Sequence, residues 1–90
     1  MYIIDFSDKA EIHIAKLKKN EKQAYKKLEK LLLELMEHLK TGIGKPEQLK
    51  HYEIPTWSRH ITEKHRLVYE IHEEIVTVLV VATYGHYNDK

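Results

Sequence analysis

The spacing of apolar residues along this chain changes from that of a strand to that of a helix and back again. In Tyr2-Ile3-Ile4-Asp5-Phe6, the residues Tyr2, Ile4 and Phe6 fall on one side and predict a strand. Ser7 and Asp8 follow as an N-cap and a first-turn acid. Ala10, Ile14 and Leu17 then recur at helical spacing to about Lys19. Asn20, with Gln23 three residues on, resembles a capping box and predicts that the chain restarts there as a second helix. In that helix Ala24, Leu28, Leu31 and Leu35 form one row, and Tyr25, Leu32, Met36 and Leu39 form its neighbour. Lys26, Lys27, Lys30, Glu34 and Glu37 occupy the other side, and Gly42 stands where a C′ glycine would end the helix. A short turn between two such helices gives an antiparallel hairpin with one apolar face to bury.

From Gly42 to Pro55 the periodicity lapses. Two glycines, two prolines, Lys45, Lys50 and His51 mark a polar, partly basic surface loop, and long loops in compact domains tend to carry function. Three strands are predicted after it. Trp57 to Thr62 alternates, Glu63-Lys64 turns, and Arg66 to His72 sets Leu67, Tyr69 and Ile71 against Arg66, Val68 and Glu70. After a turn at Glu73-Glu74, Ile75 to Thr83 is nearly continuous β-branched sequence, the pattern of a central strand. The order is β-α-α-β-β-β. It predicts an α+β fold, with the helical hairpin packed on one face of a four-stranded, mainly antiparallel sheet and the other face partly open.

Ninety residues form one domain, 1–90. Apolar residues make up 42% and charged ones 32%, too apolar for a disordered chain. No apolar run approaches the ~20 residues of a membrane span, and the start of the chain has no signal-peptide pattern, so the expected location is the cytoplasm. The absence of cysteine excludes disulfides and thiolate metal sites. A net charge of +1 means that any polyanion is bound through local clustering, not through the overall field. The seven histidines form no recognised ligand pair within one helix, and His60 and His65, which flank a turn, lack a carboxylate or cysteine at the usual spacing. No metal and no cofactor are expected.

The chemistry-bearing residues are few. RNA carries its own nucleophile, the 2′-hydroxyl, so cleavage requires a base, stabilisation of the charged phosphorane and an acid for the departing 5′-oxygen. Glu47, ionised at neutral pH, suits the first role, and a histidine such as His86 suits the last. Arg66 offers a planar fork for two phosphate oxygens. Each residue alone also has a plainer reading. Glu47 is a surface acid, Arg66 an edge-strand charge, His86 a polar residue after the last strand, and Tyr87 a core cap with its hydroxyl in water.

Gly44–Tyr69, GKPEQLKHYEIPTWSRHITEKHRLVY, carries an ordered series of short motifs: GKPE, LKH, WSR, IT and HRLVY, answered by His86-Tyr87 after the last hydrophobic strand. This series resembles the YoeB/Txe family of toxins in the RelE superfamily, and element order and length match over the whole chain. The resemblance implies a RelE-like fold and a ribosome-dependent endoribonuclease that cuts mRNA in the A site. It also implies a cognate YefM-like antitoxin as partner, and a homodimer is a further expectation, since members of the family are often dimeric. By the motifs, Glu47 falls on the general base, Arg66 on the arginine of HRLVY, and His86 and Tyr87 on the closing pair, with the histidine as general acid. Lys50 and Arg59 are expected near the phosphate, with Lys45 beside them. His60 stands where many members have a second arginine, which makes that contact weaker and pH-dependent. Tyr84-Gly85 also departs from the family pattern. The alternative is a noncatalytic, ParE-like toxin or binding module on the same scaffold, which has no need of a base-and-acid pair.

Overall fold

The computed structural model describes residues 2–73 and 75–80. Strand β1 spans Ile3–Phe6, helix α1 Asp8–Asn20 and helix α2 Lys22–Leu35. They are followed by β2, Glu47–Gln48; β3, Thr56–His60; β4, Arg66–His72; and β5, Ile75–Val80. The five strands form one sheet in the order β1-β5-β4-β3-β2. β1 runs parallel to β5, and every other neighbour is antiparallel. The sheet therefore has one strand more than the expected four. The addition is β2, two residues of the polar loop that pair with β3, Glu47 opposite Ser58 and Gln48 opposite Trp57. A pairing so short leaves no alternating apolar pattern to read.

α1 begins where its cap predicts, with the Ser7 hydroxyl accepting from the Ala10 amide at 3.1 Å. The turn between the helices differs from the capping box expected at Asn20. Asn20 is the last residue of α1, and the break comes at Glu21, whose side chain makes no capping hydrogen bond. That carboxylate instead meets the buried His65 side chain at 3.1 Å, a partner 44 positions away that local sequence does not reveal. α2 stops at Leu35 rather than near Gly42. Leu39 is still buried, but it reaches the core from a turn.

The apolar row read from α2 is the core. Ala24, Leu28, Leu31 and Leu35 are all buried, and they meet Ala10 and Leu17 of α1 and Leu67, Tyr69 and Val76 of the sheet. Truncating any of these leucines to alanine costs about 2–5 kcal/mol. β3 and β4 alternate as strands must. Trp57, Ile61, Leu67, Tyr69 and Ile71 belong to the helix-side core. Ser58, His60, Arg66 and Val68 therefore project from the opposite face. There the only apolar cover among the described residues is small: Leu49 and Val68, with Tyr52 packed against them. The loop that carries β2 thus folds over part of the second face, and His60 and Arg66 beyond it are only partly covered.

Candidate functional site

Register decides what meets on the open face. Glu47 lies opposite Ser58, Ser58 opposite Val68, and His60 opposite Arg66. Directly opposed residues in an antiparallel pair share a face, with Cβ atoms about 4.5–5.5 Å apart. Glu47, Ser58, His60 and Arg66 accordingly stand on one surface. Glu47 and Arg66 are two strands apart and offset by two residues, so their backbones lie roughly 12 Å from one another by standard strand spacings. One anionic and one cationic side chain thus flank β3 on the same face.

The electrostatics of His60 report the same cluster. Its pKa is lowered from 6.5, first by burial and then by the positive charges of Arg66, Lys45 and Lys27, while Glu47 works in the opposite direction. The imidazole is therefore neutral at pH 7, and the four charges around it are close enough to act on it. A cavity of about 330 Å³ opens beside it, lined by Lys27, Gly44, Lys45, His60, Ile61, Thr62 and Glu63. Arg66 is half-buried, and its Nε atom is buried without a hydrogen-bond partner among the described residues. A buried guanidinium nitrogen with no acceptor is costly. A phosphate oxygen is the acceptor that a guanidinium fork matches best.

The approach to Glu47 is a backbone of unusual shape. Gly44 has φ 84° and Lys45 φ 52°, both left-handed. The Gly44 carbonyl accepts from the His60 amide at 2.6 Å, which carries the edge pairing of β3 past β2. A Cβ at position 44 would lie 2.9 Å from Leu31 Cδ2 and 3.0 Å from the His60 carbonyl oxygen. Glycine is required there, and the tight turn delivers Lys45 to the rim, exposed, just before Glu47.

Arg59 is placed differently from the phosphate contact expected of it. Its side chain is fully buried, and it points to the helix side of β3 because His60, its neighbour in the strand, points to the open side. Nη1 donates to Glu34 Oε1 at 2.6 Å and to the Ile43 carbonyl at 3.3 Å. Nη2 donates to the carbonyls of His38 at 2.6 Å and Thr41 at 2.9 Å, and Nε donates to the Tyr69 hydroxyl at 3.2 Å. With its donors committed to protein acceptors, Arg59 has none to offer RNA in this conformation. Tyr69 in turn donates to the Leu39 carbonyl at 2.7 Å. Burial raises the pKa of Tyr69, so its hydroxyl keeps the proton it donates. Burial also acts to raise the pKa of Glu34, but the Ile43 amide and the Arg59 guanidinium outweigh it and hold that carboxyl below its usual value.

Lys50 is exposed on the loop beyond β2, next to the buried Leu49 that anchors it. His86, Tyr87, Tyr84 and Gly85 lie outside the described residues. Two neighbours of the cluster escaped the sequence reading. Ser58 sits between Glu47 and Val68, and strand alternation would have placed it there. Lys27 acts on His60 from α2, and in sequence it is one of several helix lysines with nothing to distinguish it.

Residues 6–87 match the profile of a family described as the YoeB-like toxin of bacterial type II toxin-antitoxin systems. Toxin YoeB of Escherichia coli strain K12 is 40% identical over 67 residues, which cover 74% of this chain and 77% of that protein. Among solved structures, the YoeB dimer from Staphylococcus aureus superposes with a TM-score of 0.81 at 32% identity, covering 96% of this chain and 98% of that one. The toxin in a YoeB-YefM complex from the same organism gives 0.79 at 32% identity, covering 97% and 99%.

Proposed function

The chain belongs to the YoeB-like toxin family of bacterial type II toxin-antitoxin systems, and from that premise we propose that it is an endoribonuclease cutting mRNA in the ribosomal A site. The observation that carries the reading is this face of the sheet: an acid and a guanidinium flank β3, and the guanidinium has a buried nitrogen with no acceptor among the described residues.

In the proposed reaction Glu47 removes the proton from the 2′-hydroxyl. The freed oxygen attacks the adjacent phosphorus, and Arg66 holds the equatorial oxygens as negative charge builds on them. His86 gives its proton to the 5′-oxygen as the P–O bond breaks, with Tyr87 beside it. The products are a 2′,3′-cyclic phosphate and a 5′-hydroxyl. A positioned acid or base contributes about 10²–10⁴ in rate, and loss of one electrostatic stabiliser costs about 10²–10³. Lys45, Lys50 and His60 hold the RNA backbone along the rim.

An RNase of this kind has to be restrained in the cell that makes it. A YefM-like antitoxin is the proposed partner, in keeping with the YoeB-YefM complex, and a homodimer is proposed from the YoeB dimer. Action on ribosome-bound message places the protein in the cytoplasm, and no described helix is long and apolar enough to cross a membrane.

Inducing the chain without an antitoxin, with primer extension on cellular transcripts, tests the proposal. Growth arrest with new 5′ ends inside reading frames is expected. Arrest with intact transcripts would overturn the nuclease reading and leave a noncatalytic toxin acting on another target.

A further inference from the structure

Arg59, Tyr69 and Glu34 form a network that the cleavage reaction as described does not use. A guanidinium with no exposure is costly to bury unless every donor is matched, and here the matches are instructive. Apart from Glu34 and Tyr69, its acceptors are the carbonyls of His38, Thr41 and Ile43. Tyr69 adds the carbonyl of Leu39. The Glu34 carboxylate accepts from the Ile43 amide at 2.8 Å as well as from Arg59. Backbone groups of the segment 38–43 are thus drawn onto three side chains from α2, β3 and β4. This segment has neither helix nor strand of its own, so it holds its shape through these side chains.

The segment leads directly to Gly44, Lys45 and Glu47. Beyond Ile43 the chain is joined to β3 by the Gly44–His60 hydrogen bond, the two pairs of β2 and, past Glu47, the hydrogen bond from the Leu49 amide to the Thr56 carbonyl. A shift at residue 43 therefore passes to Glu47 within four residues.

We propose that the Arg59–Tyr69–Glu34 network is the positioning device of the site: it fixes the 38–43 segment and so sets where Lys45 and Glu47 stand over the open face. The inference rests on the reading of Glu47 as the base. These residues are positioning residues and touch no substrate. Misplacing a reacting group by about 1 Å costs up to 10²-fold in rate, so small slack in the segment is felt in the chemistry.

Tyr69→Phe removes the hydroxyl and keeps the ring. Glu34→Gln, at a site with 26% of its side chain exposed, is the milder second variant and is used if Tyr69→Phe fails to fold. Two quantities are measured on the full chain. One is amide hydrogen exchange at residues 43–48 relative to Leu28 and Leu67. The other is single-turnover cleavage of mRNA on programmed ribosomes over a range of toxin concentrations. Tyr69→Phe loses two hydrogen bonds, the one accepted from Arg59 Nε and the one donated to the Leu39 carbonyl, and exchange at 43–48 speeds up at least about tenfold, with the core amides unchanged. The maximal cleavage rate falls by a similar factor, while the half-saturating concentration stays as in the wild type. A merely structural role would move core and loop exchange together and leave the maximal rate of the folded fraction alone. Unchanged exchange at 43–48 overturns the inference, as does faster exchange with an unchanged maximal rate. Glu47→Gln is measured alongside. Wild-type cleavage by that variant would sink the reading of Glu47 as base, whereas loop exchange in the network variants reports on the anchoring alone.

Discussion

Arg59 and Arg66 lie on neighbouring strands, one residue pair apart, since Arg59 faces Leu67 and Arg66 faces His60. Their circumstances are opposite. Arg59 points under the helices, is fully buried, and is met by one carboxylate, one phenol and three carbonyls. Arg66 points to the open face with a buried nitrogen that finds no acceptor among the described residues. The same guanidinium chemistry builds the protein on one side of the sheet and, in the function proposed, meets the phosphate on the other. What separates the two is strand parity: a step of one residue moves a side chain from the core to the site.

The largest expected effect falls on the buried arginine. Arg59→Ala leaves the carbonyls of residues 38, 41 and 43 without their guanidinium donor and the Glu34 carboxylate with the Ile43 amide but no cation, a loss of about 3–5 kcal/mol by analogy with broken buried pairs. Urea unfolding should show a much lower midpoint, and an unchanged midpoint would erase the contrast between the two arginines. Glu47→Gln tests the open face in the opposite sense. Glu47 is exposed on a two-residue strand, so its unfolding midpoint should stay within experimental scatter. Cleavage of ribosome-bound message should fall by about 10²–10⁴.

A smaller effect concerns His60. Its pKa lies below 6.5, so above that pH it is neutral and lends no charge to an RNA contact. As pH falls through its lowered pKa it gains a proton and becomes a cation beside Arg66 and Lys45. Two consequences follow. Burying His60 in its neutral form contributes stability that is complete above pH 6.5 and lost as pH falls through the folded-state value. RNA affinity moves the other way, rising on acidification. His60→Arg should remove that pH dependence, tighten binding at pH 7.5, and steepen the salt dependence by about 0.7 in log–log slope. Equal pH profiles for the two proteins would show that His60 does not face the RNA.

Much of the fold was legible because periodicity and burial coincide. The row Ala24, Leu28, Leu31 and Leu35 is the buried face of α2, and the division of β4 into Leu67, Tyr69 and Ile71 against Arg66, Val68 and Glu70 is the one observed. The misses have physical causes. β2 has two residues and no pattern. Helix α2 stops at Leu35, and Arg59 and Glu34 then hold the turns that replace its last stretch, so Gly42 marks a tight turn with φ 117° rather than a helix end. For the site, motif order brought Glu47, His60 and Arg66 to attention, and register places them on one face. Arg59 was assigned to the phosphate by its place in the motif, although the alternation Trp57, Arg59, Ile61 already put it on the core side with Trp57. A motif gives the sequence of residues in a site but not the face from which each projects.

The most direct test is the single-turnover rate at which Arg66→Ala cleaves mRNA on programmed ribosomes, at saturating protein and with the unfolding midpoint measured on the same preparation. A guanidinium that waits for the phosphorane predicts a loss of about 10²–10³ in rate with the midpoint nearly unmoved. A wild-type rate would contradict the account, and a collapse in stability would mean that Arg66, like Arg59, serves the fold.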